Sequence, residues 1–344
     1  LRGNTRVFVN NKTYHYKQLL AVYFGKLMEF IQIRTSVMAV ENITITMKTV
    51  DRETKEALEE VFDILQIHPS RIRLLSAAES FGYYIVHENP ELWQDGALLF
   101  DFSPDGFFAK QLQVKITRNG SLIYVDEYDF SPDFSVDHLA SETLRGQMDR
   151  KLTRLYQDLL AQSGNASVYF TGEGFDEQWF TDTINFISGS RRAFKGNNIY
   201  VKGATLAGYM RSVDENGEFP IICKGRTRAD ISLEAWDNGS RVDILLSPAA
   251  VDWYDAGYCG DFILEKERAL VLKVTSLITG NSDRVVLDLS SFPERPEKTT
   301  RIEIRMNYYN EYACEITVTD KGFGDFFPNR GAYVKQTLNL EGYI

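Results

Sequence analysis

The sequence predicts a mixed α/β unit over residues 1–214, followed by an antiparallel, sandwich-like β unit over residues 215–344. Two observations predict the first. Strand-like and helix-like apolar patterns alternate along it, and Asn119-Gly120, the pair that best accepts a tight hairpin turn, adds antiparallel strands to the sheet. A third predicts the second unit. Beyond Asp214-Glu215-Asn216-Gly217 the chain breaks into short period-two runs separated by turn residues, as in Arg301-Ile302-Glu303-Ile304-Arg305-Met306.

The elements follow in order. Val7-Phe8-Val9 reads as a short strand turned at Asn10-Asn11, and in the helix after it Leu20, Phe24, Leu27 and Ile31 share one face. Ile43 to Met47 alternates and is β-branched, hence a strand; Leu58, Val61, Phe62 and Leu65 then form a second helical stripe. After the turn at His68-Pro69-Ser70 come a short strand and a helix. The run ALLFDFSPDGFF, residues 97–108, is a strand that meets an acid at Asp101 and turns sharply at Pro104-Asp105-Gly106. Apolar strands flank residues 119–120, and Leu144, Met148, Leu152, Leu155 and Leu159 predict one long helix over 137–161. Ser167 to Thr171 is a strand ending in Gly172-Glu173-Gly174, with a helical pattern over 175–187. In the β unit, strands are expected at 231–234, 241–246, 270–274, 284–289, 301–308 and 314–319, and Asp214 to Glu218 as a hinge turn.

Composition narrows the function classes. The chain has 38 Lys and Arg against 48 Asp and Glu, and this net charge of -10 argues against nucleic acid and anionic membranes as partners. Cys223, Cys259 and Cys314 are too widely spaced for a disulfide framework or a zinc site, so a reducing, cytoplasmic location is expected. The histidines His15, His68, His87 and His138 show no ligand spacing, and no metal site is expected. No apolar run approaches the ~20 residues of a membrane span. The first residues lack the apolar core of a signal peptide, so a soluble protein is expected.

Four segments, taken in order over about residues 7–210, resemble the nucleotide-binding core shared by actin, sugar kinases and heat-shock chaperones of the DnaK type. Residues 43–86 resemble the chaperone stretch of strand, helix, short strand and small-residue helix. ALLFDFSPDGFF sits where the second phosphate loop belongs, SVYFTGEGFDEQWFTDTINFI where the adenosine loop begins, and NIYVKGATLAGY resembles the helix beside that loop. The resemblance implies an actin-like ATPase (ribonuclease H-like) core that is minimal, its amino end either truncated or never present. A partial first subdomain spans about 1–96 and a second about 97–200. RIEIRMNYYNEYACEITVTDKGFG resembles strands that close the peptide-binding β domain of the same chaperones, without the helical lid.

The same comparison assigns candidate residues. Asp101 falls at the strand end where a carboxylate orients metal or water; the alternative is a turn cap. Glu79 falls near the family's water-positioning residue, with Ser76 as the other occupant of that place and a helix-start acid as the plain alternative. Gly172 and Gly174 would let a purine and its ribose approach the backbone, or serve a tight strand-to-helix turn. Gly106 is the one glycine left of the family's Asp-x-Gly-Gly-Gly run. Lys202 could reach a phosphate or ribose, as could Arg191 and Arg192. ATP or ADP with Mg is the cofactor implied.

Departures from the family pattern are as informative. Pro104 removes a backbone donor, and Asp105 adds negative charge where phosphate oxygens would approach. The family's first phosphate loop has no counterpart before Val7: either it lies upstream of Leu1 or the protein never had it. The insertion that forms one wall of the nucleotide cleft is nearly absent. The expectation is therefore a pseudo-ATPase that binds a protein or peptide partner, with nucleotide bound weakly or not at all. The alternative is an active ATP-dependent, chaperone-like switch whose first phosphate loop lies upstream. A third reading is a small-molecule kinase of the same superfamily, which needs a catalytic base and a substrate pocket that the short insertion leaves little material to build. The oligomeric state is left open.

Overall fold

The structure is a computed structural model and describes residues 6–9, 12–35, 40, 42–117, 120–160, 166–189, 191–213, 221–237, 239–265 and 268–343. It divides into two units, 1–223 and 224–344. In the first, the hairpin β1 (Arg6–Val9) and β2 (Lys12–His15) leads into α1 (Tyr16–Thr35), β3 (Ile43–Met47), α2 (Arg52–Ile64), β4 (Ile72–Ser76) and α3 (Ala77–Val86). Next come β5 (Ala97–Ser103), β6 (Gly106–Thr117), β7 (Gly120–Asp129), α4 (Glu142–Leu160), β8 (Ser167–Thr171), α5 (Thr181–Ser188), β9 (Ala193–Lys195), α6 (Ile199–Val213) and β10 (Ile221–Cys223).

The main sheet has six strands in the order β10-β7-β6-β5-β8-β9. Strands β5, β6 and β7 form an antiparallel meander, while β8 joins β5 in parallel, β9 joins β8 in parallel and β10 joins β7 in parallel. Alternation along β5 feeds two cores. Ala97 and Leu99 pack with α3 and α6, and Leu98, Phe100 and Phe102 pack with α4 and α5. Helix α3 is apolar on every side because it is buried on every side, from Ala77 to Val86 apart from the half-buried Tyr84. Its capping Ser76 accepts from the Glu79 N–H, fixing where the helix starts.

A two-stranded parallel sheet, β3 with β4, lies beyond α3 and α6. The Thr face of β3 meets these helices. Thr46 Oγ1 lies 2.7 Å from Ser80 Oγ, and a Cβ on Gly208 would come 2.7 Å from Thr44 Oγ1. The two helices touch backbone to backbone at Gly203, where a Cβ would fall 1.7 Å from the Ser80 carbonyl oxygen. Helix α5 is capped from outside. Buried Asp149 on α4 accepts from the Asp182 N–H at 2.8 Å, the Thr183 N–H at 3.0 Å and the Thr183 hydroxyl at 2.6 Å.

The second unit holds β11 (Ala229–Asp237), β12 (Ser240–Ser247), β13 (Tyr258–Leu264), β14 (Ala269–Ser276), β15 (Ser282–Asp288), β16 (Thr300–Asn310), β17 (Ala313–Gly322) and β18 (Tyr333–Asn339). They form two four-stranded antiparallel sheets, β12-β11-β14-β15 and β13-β16-β17-β18, whose inner faces share one core. Beneath the β17–β18 connection, Arg295 makes a two-bond fork to Asp320 at 2.6 and 2.7 Å, and Arg295 also donates to the Pro328 carbonyl. Asp320 has no exposed surface.

Several sequence expectations are corrected. The boundary moves from about residue 215 to Cys223, because Ile221–Cys223 is hydrogen-bonded to Ile123–Val125 in the first unit's sheet. The stripe Leu20, Phe24, Leu27 and Ile31 is not buried as a face. Ala21 is the one buried hydrophobic residue of α1 among those described, and Leu27 and Ile31 are exposed. The helix expected over 175–187 starts only at Thr181, since Trp179 and Phe180 turn into the core ahead of it. Strands β2, β9, β10, β13 and β18 were not expected. Asn10, Asn11, Asn119, Asn238 and the segment 214–218 lie outside the described residues.

Removing one member of a buried ion pair leaves the other charge uncompensated, so Asp320→Ala is expected to cost about 3–5 kcal/mol in the second unit. Urea unfolding of the full chain checks this, with the loss confined to that unit's transition. Burial works to raise the Asp320 pKa, but the Arg295 hydrogen bonds and the Gly322 N–H outweigh it and hold the carboxyl below 3.8. Its contribution is therefore complete above the ordinary aspartate pKa and is lost as pH falls below it. The Asp320→Ala unfolding transition is expected to converge with wild type in acid.

Candidate functional site

The carboxyl ends of β5 and β8 bring three of the expected residues together. Asp101 is in register with Thr171, and a Cβ on the next residue, Gly172, would lie 3.0 Å from Asp101 Oδ1. Gly174 rests on Phe102. The glycines face inward. Gly172 has a φ of +97°, and a Cβ there would fall 2.2 Å from the Phe102 carbonyl oxygen; a Cβ on Gly174 would fall 2.3 Å from the Phe102 ring. The Gly174 carbonyl in turn accepts the Trp179 indole N–H at 2.6 Å. The space each glycine opens is thus filled by β5 itself, and the turn is closed by an indole.

Asp101 stands where the apolar face of the sheet gives way to a polar cluster. Tyr200, in the first turn of α6, donates its hydroxyl to Asp101 Oδ2 at 2.7 Å. Lys110, 2 % exposed, pairs with Glu127 at 2.9 Å across the β6–β7 register, and its ammonium lies 5.2 Å from the Tyr200 ring centre. Lys48, just past β3, sits 3.7 Å over the Phe108 ring. Burial raises the Asp101 pKa and Glu127 adds to the rise, against the Tyr200 hydrogen bond and the charges of Lys110 and Lys48. Burial and the neighbouring carboxylate push the Tyr200 hydroxyl well above its ordinary value. Two acids and two bases balance, and the buried base already has its partner.

The other candidates sit elsewhere in the unit. Gly106, with a φ of +134°, opens β6 after the two-residue turn Pro104-Asp105, and a Cβ there would fall 2.2 Å from Ser131 Oγ. That same Ser131 hydroxyl takes the Phe107 N–H at 3.1 Å. Glu79 closes the capping box of α3, its Oε2 accepting from the Ser76 N–H at 2.9 Å and the Ser76 hydroxyl at 3.0 Å, so Ser76 and Glu79 share one structural task. Lys202 is exposed on α6, two residues beyond Tyr200 and on another side of the helix. Arg192 lies 3.9 Å from Glu91 at the surface.

Sequence reasoning missed Tyr200, Lys110, Glu127 and Lys48. One signal could have found two of them. The hairpin register in which Thr117 meets Gly120 pairs Lys110 with Glu127, two charges inside otherwise apolar strands. Among the described residues no group of three or more His, Cys, Asp or Glu is placed to hold a metal ion, and no helix is long and apolar enough to cross a membrane. The arrangement does not fit a nucleotide and its Mg ion: Asp101 is held by Tyr200, Lys110 by Glu127, and the loop donor at Phe107 by Ser131.

Fold and site together define an α/β unit with an internally satisfied polar cluster, joined in sequence to an all-β unit. Residues 1–224 match the model described as "Family of unknown function (DUF5716) C-terminal", and the chain belongs to that family. Residues 226–340 match a model described as "Domain of unknown function (DUF8552)". No curated protein matches the chain.

Two substitutions probe the cluster. Gly172→Ala is expected to destabilise the first unit by more than about 1 kcal/mol, measured by urea unfolding, because positive φ and the Phe102 carbonyl both oppose a Cβ. Asp101→Asn keeps an acceptor for Tyr200 without the half-buried charge. Since the folded-state pKa is raised above 3.8, ionisation costs the folded protein stability as pH rises through the window above that value. The variant is expected to melt at or above the wild-type temperature at neutral pH, and the difference should shrink in acid.

Proposed function

We infer that this chain is a degenerate relative of the actin and DnaK-type ATPases that works by binding a protein or peptide partner, with nucleotide bound weakly or not at all. The observation that carries this reading is that every phosphate-loop and adenosine-loop candidate at the β5 and β8 ends serves the protein's own packing. A purine would have to displace Phe102 from the two glycines, and a phosphate would have to displace Ser131. Any Mg ion would have to take Asp101 from Tyr200. The mixed sheet flanked by helices supports descent from such a fold, while the filled loops support loss of its chemistry. For the β unit, four edge strands, β12, β15, β13 and β18, offer backbone donors and acceptors to an extended peptide.

One observation favours the alternative of an active switch. Among the described residues β3 pairs only with β4, and a parallel sheet of two strands is small for independent stability. A further strand on β3, supplied by sequence upstream of Leu1, would enlarge it and could bring a first phosphate loop. ATP turnover by the product of the whole gene, abolished by Asp101→Ala, would establish that reading.

Calorimetric titration of ATP with Mg into the full chain tests the first. The expected result is no saturable heat, corresponding to a Kd weaker than about 1 mM. Tight saturable binding that disappears in Asp101→Ala would overturn it.

A further inference from the structure

Helix α1 is apolar on nearly all sides, the pattern of a helix covered all round. One side is covered. Ala21 is buried, the Phe24 ring lies 5.0 Å from the Phe62 ring of α2, and a Cβ on Gly25 would meet Leu65 at 3.4 Å. Near the start of the helix, Lys17 pairs with Glu60. The opposite side leaves Val22 62 %, Tyr23 61 %, Phe30 55 % and Ile33 72 % exposed, with Leu27 among them. Tyr23, Leu27, Phe30 and Arg34 recur at spacings of four, three and four residues, the spacing of a helix-pair seam. Scattered exposed apolar residues are ordinary, but a continuous stripe along one helix marks an interface.

We propose that this stripe joins two copies of the chain by antiparallel pairing of their α1 helices about a two-fold axis. Charge complementarity selects a second copy as the occupant. Lys26 and Glu29, beside the seam, neutralise each other within the helix at 2.6 Å, so they bring no net charge to it. Arg34 already lies 5.2 Å from the Phe30 ring. In a two-fold antiparallel pair, the layer that sets Leu27 against Phe30 of the second copy also sets Tyr23 against Arg34 of the second copy, because both pairs are symmetric about the same point on the helix. Each Arg34 then meets a second aromatic face, and no like charges in the seam oppose one another. From Tyr23 to Arg34 the seam is about 17 Å long.

Sedimentation velocity and light scattering on the full chain over a wide concentration range test the proposal. Wild type is expected to reach twice the monomer mass of 39.4 kDa. Phe30→Glu and Ile33→Glu should each return the mass to the monomer value with unchanged far-UV circular dichroism, since neither residue belongs to a buried cluster. Arg34→Gln should weaken association by about tenfold, for the loss of two cation–aromatic contacts. Tyr209→Glu, an equally exposed position on α6, should leave the dimer intact. A monomer at every concentration overturns the proposal. So does a dimer that survives either α1 glutamate, or equal loss of the dimer in Tyr209→Glu.

Discussion

Strand β5 constrains the first unit more than any other segment. It is hydrogen-bonded on both edges, to β6 and to β8, and it is packed on both faces. At its end Phe102 has no exposed surface and gathers Phe107, Phe134, Phe175 and Trp179 within 6.5 Å between ring centres. Aromatic pairs of this kind add about 0.5–1.5 kcal/mol each beyond the area they bury. The turn after β8 then has little choice. It must pass over the Phe102 backbone and ring, and only glycine can do so at 172 and 174. A glycine pattern that resembles a nucleotide loop is here a consequence of dense packing.

The polar cluster follows from the same geometry. Where the apolar face of the sheet ends, Asp101 comes from β5, Lys110 and Glu127 from the β6–β7 hairpin, and Tyr200 from the first turn of α6. A half-buried carboxylate needs partners, and it has Tyr200 by hydrogen bond and Lys110 and Lys48 by charge. A cluster that is satisfied within itself fixes the position of α6 on the sheet. It leaves little field for a phosphate, because its positive charges are matched one for one.

In the second unit a different device holds the chain. The two sheets need only apolar inner faces to stack, but the long β17–β18 connection needs an anchor. The Arg295–Asp320 fork supplies it from beneath, with the Gly322 N–H and the Pro328 carbonyl completing the hydrogen bonds. In the first unit α1 contrasts with these satisfied interiors, since Val22, Tyr23, Leu27, Phe30, Ile31 and Ile33 are all exposed along it.

The residues by themselves determined the interior elements. Ser167 to Thr171 and the central strands of the β unit, β11, β14, β16 and β17, are legible because they are paired on both sides and bury at least one face, which imposes a strong apolar period; the edge strands β3, β12 and β15 are legible from their own alternation and β-branched residues. The strands that reading missed, β2, β9, β10, β13 and β18, all lie at sheet edges. An edge strand is paired on one side only and tolerates polar residues, as in Tyr333–Asn339, so its pattern is weak. The domain boundary moved for the same reason, through the three-residue edge strand Ile221–Cys223. For the site, the sequence determined that Asp101 ends a buried strand and that Gly172 and Gly174 follow another. Only the tertiary structure decided what those residues face. Tyr200 is ninety-nine positions away from the carboxylate it binds, and Phe102 seventy from the glycine it fills, and contacts at such separation leave no local period to read.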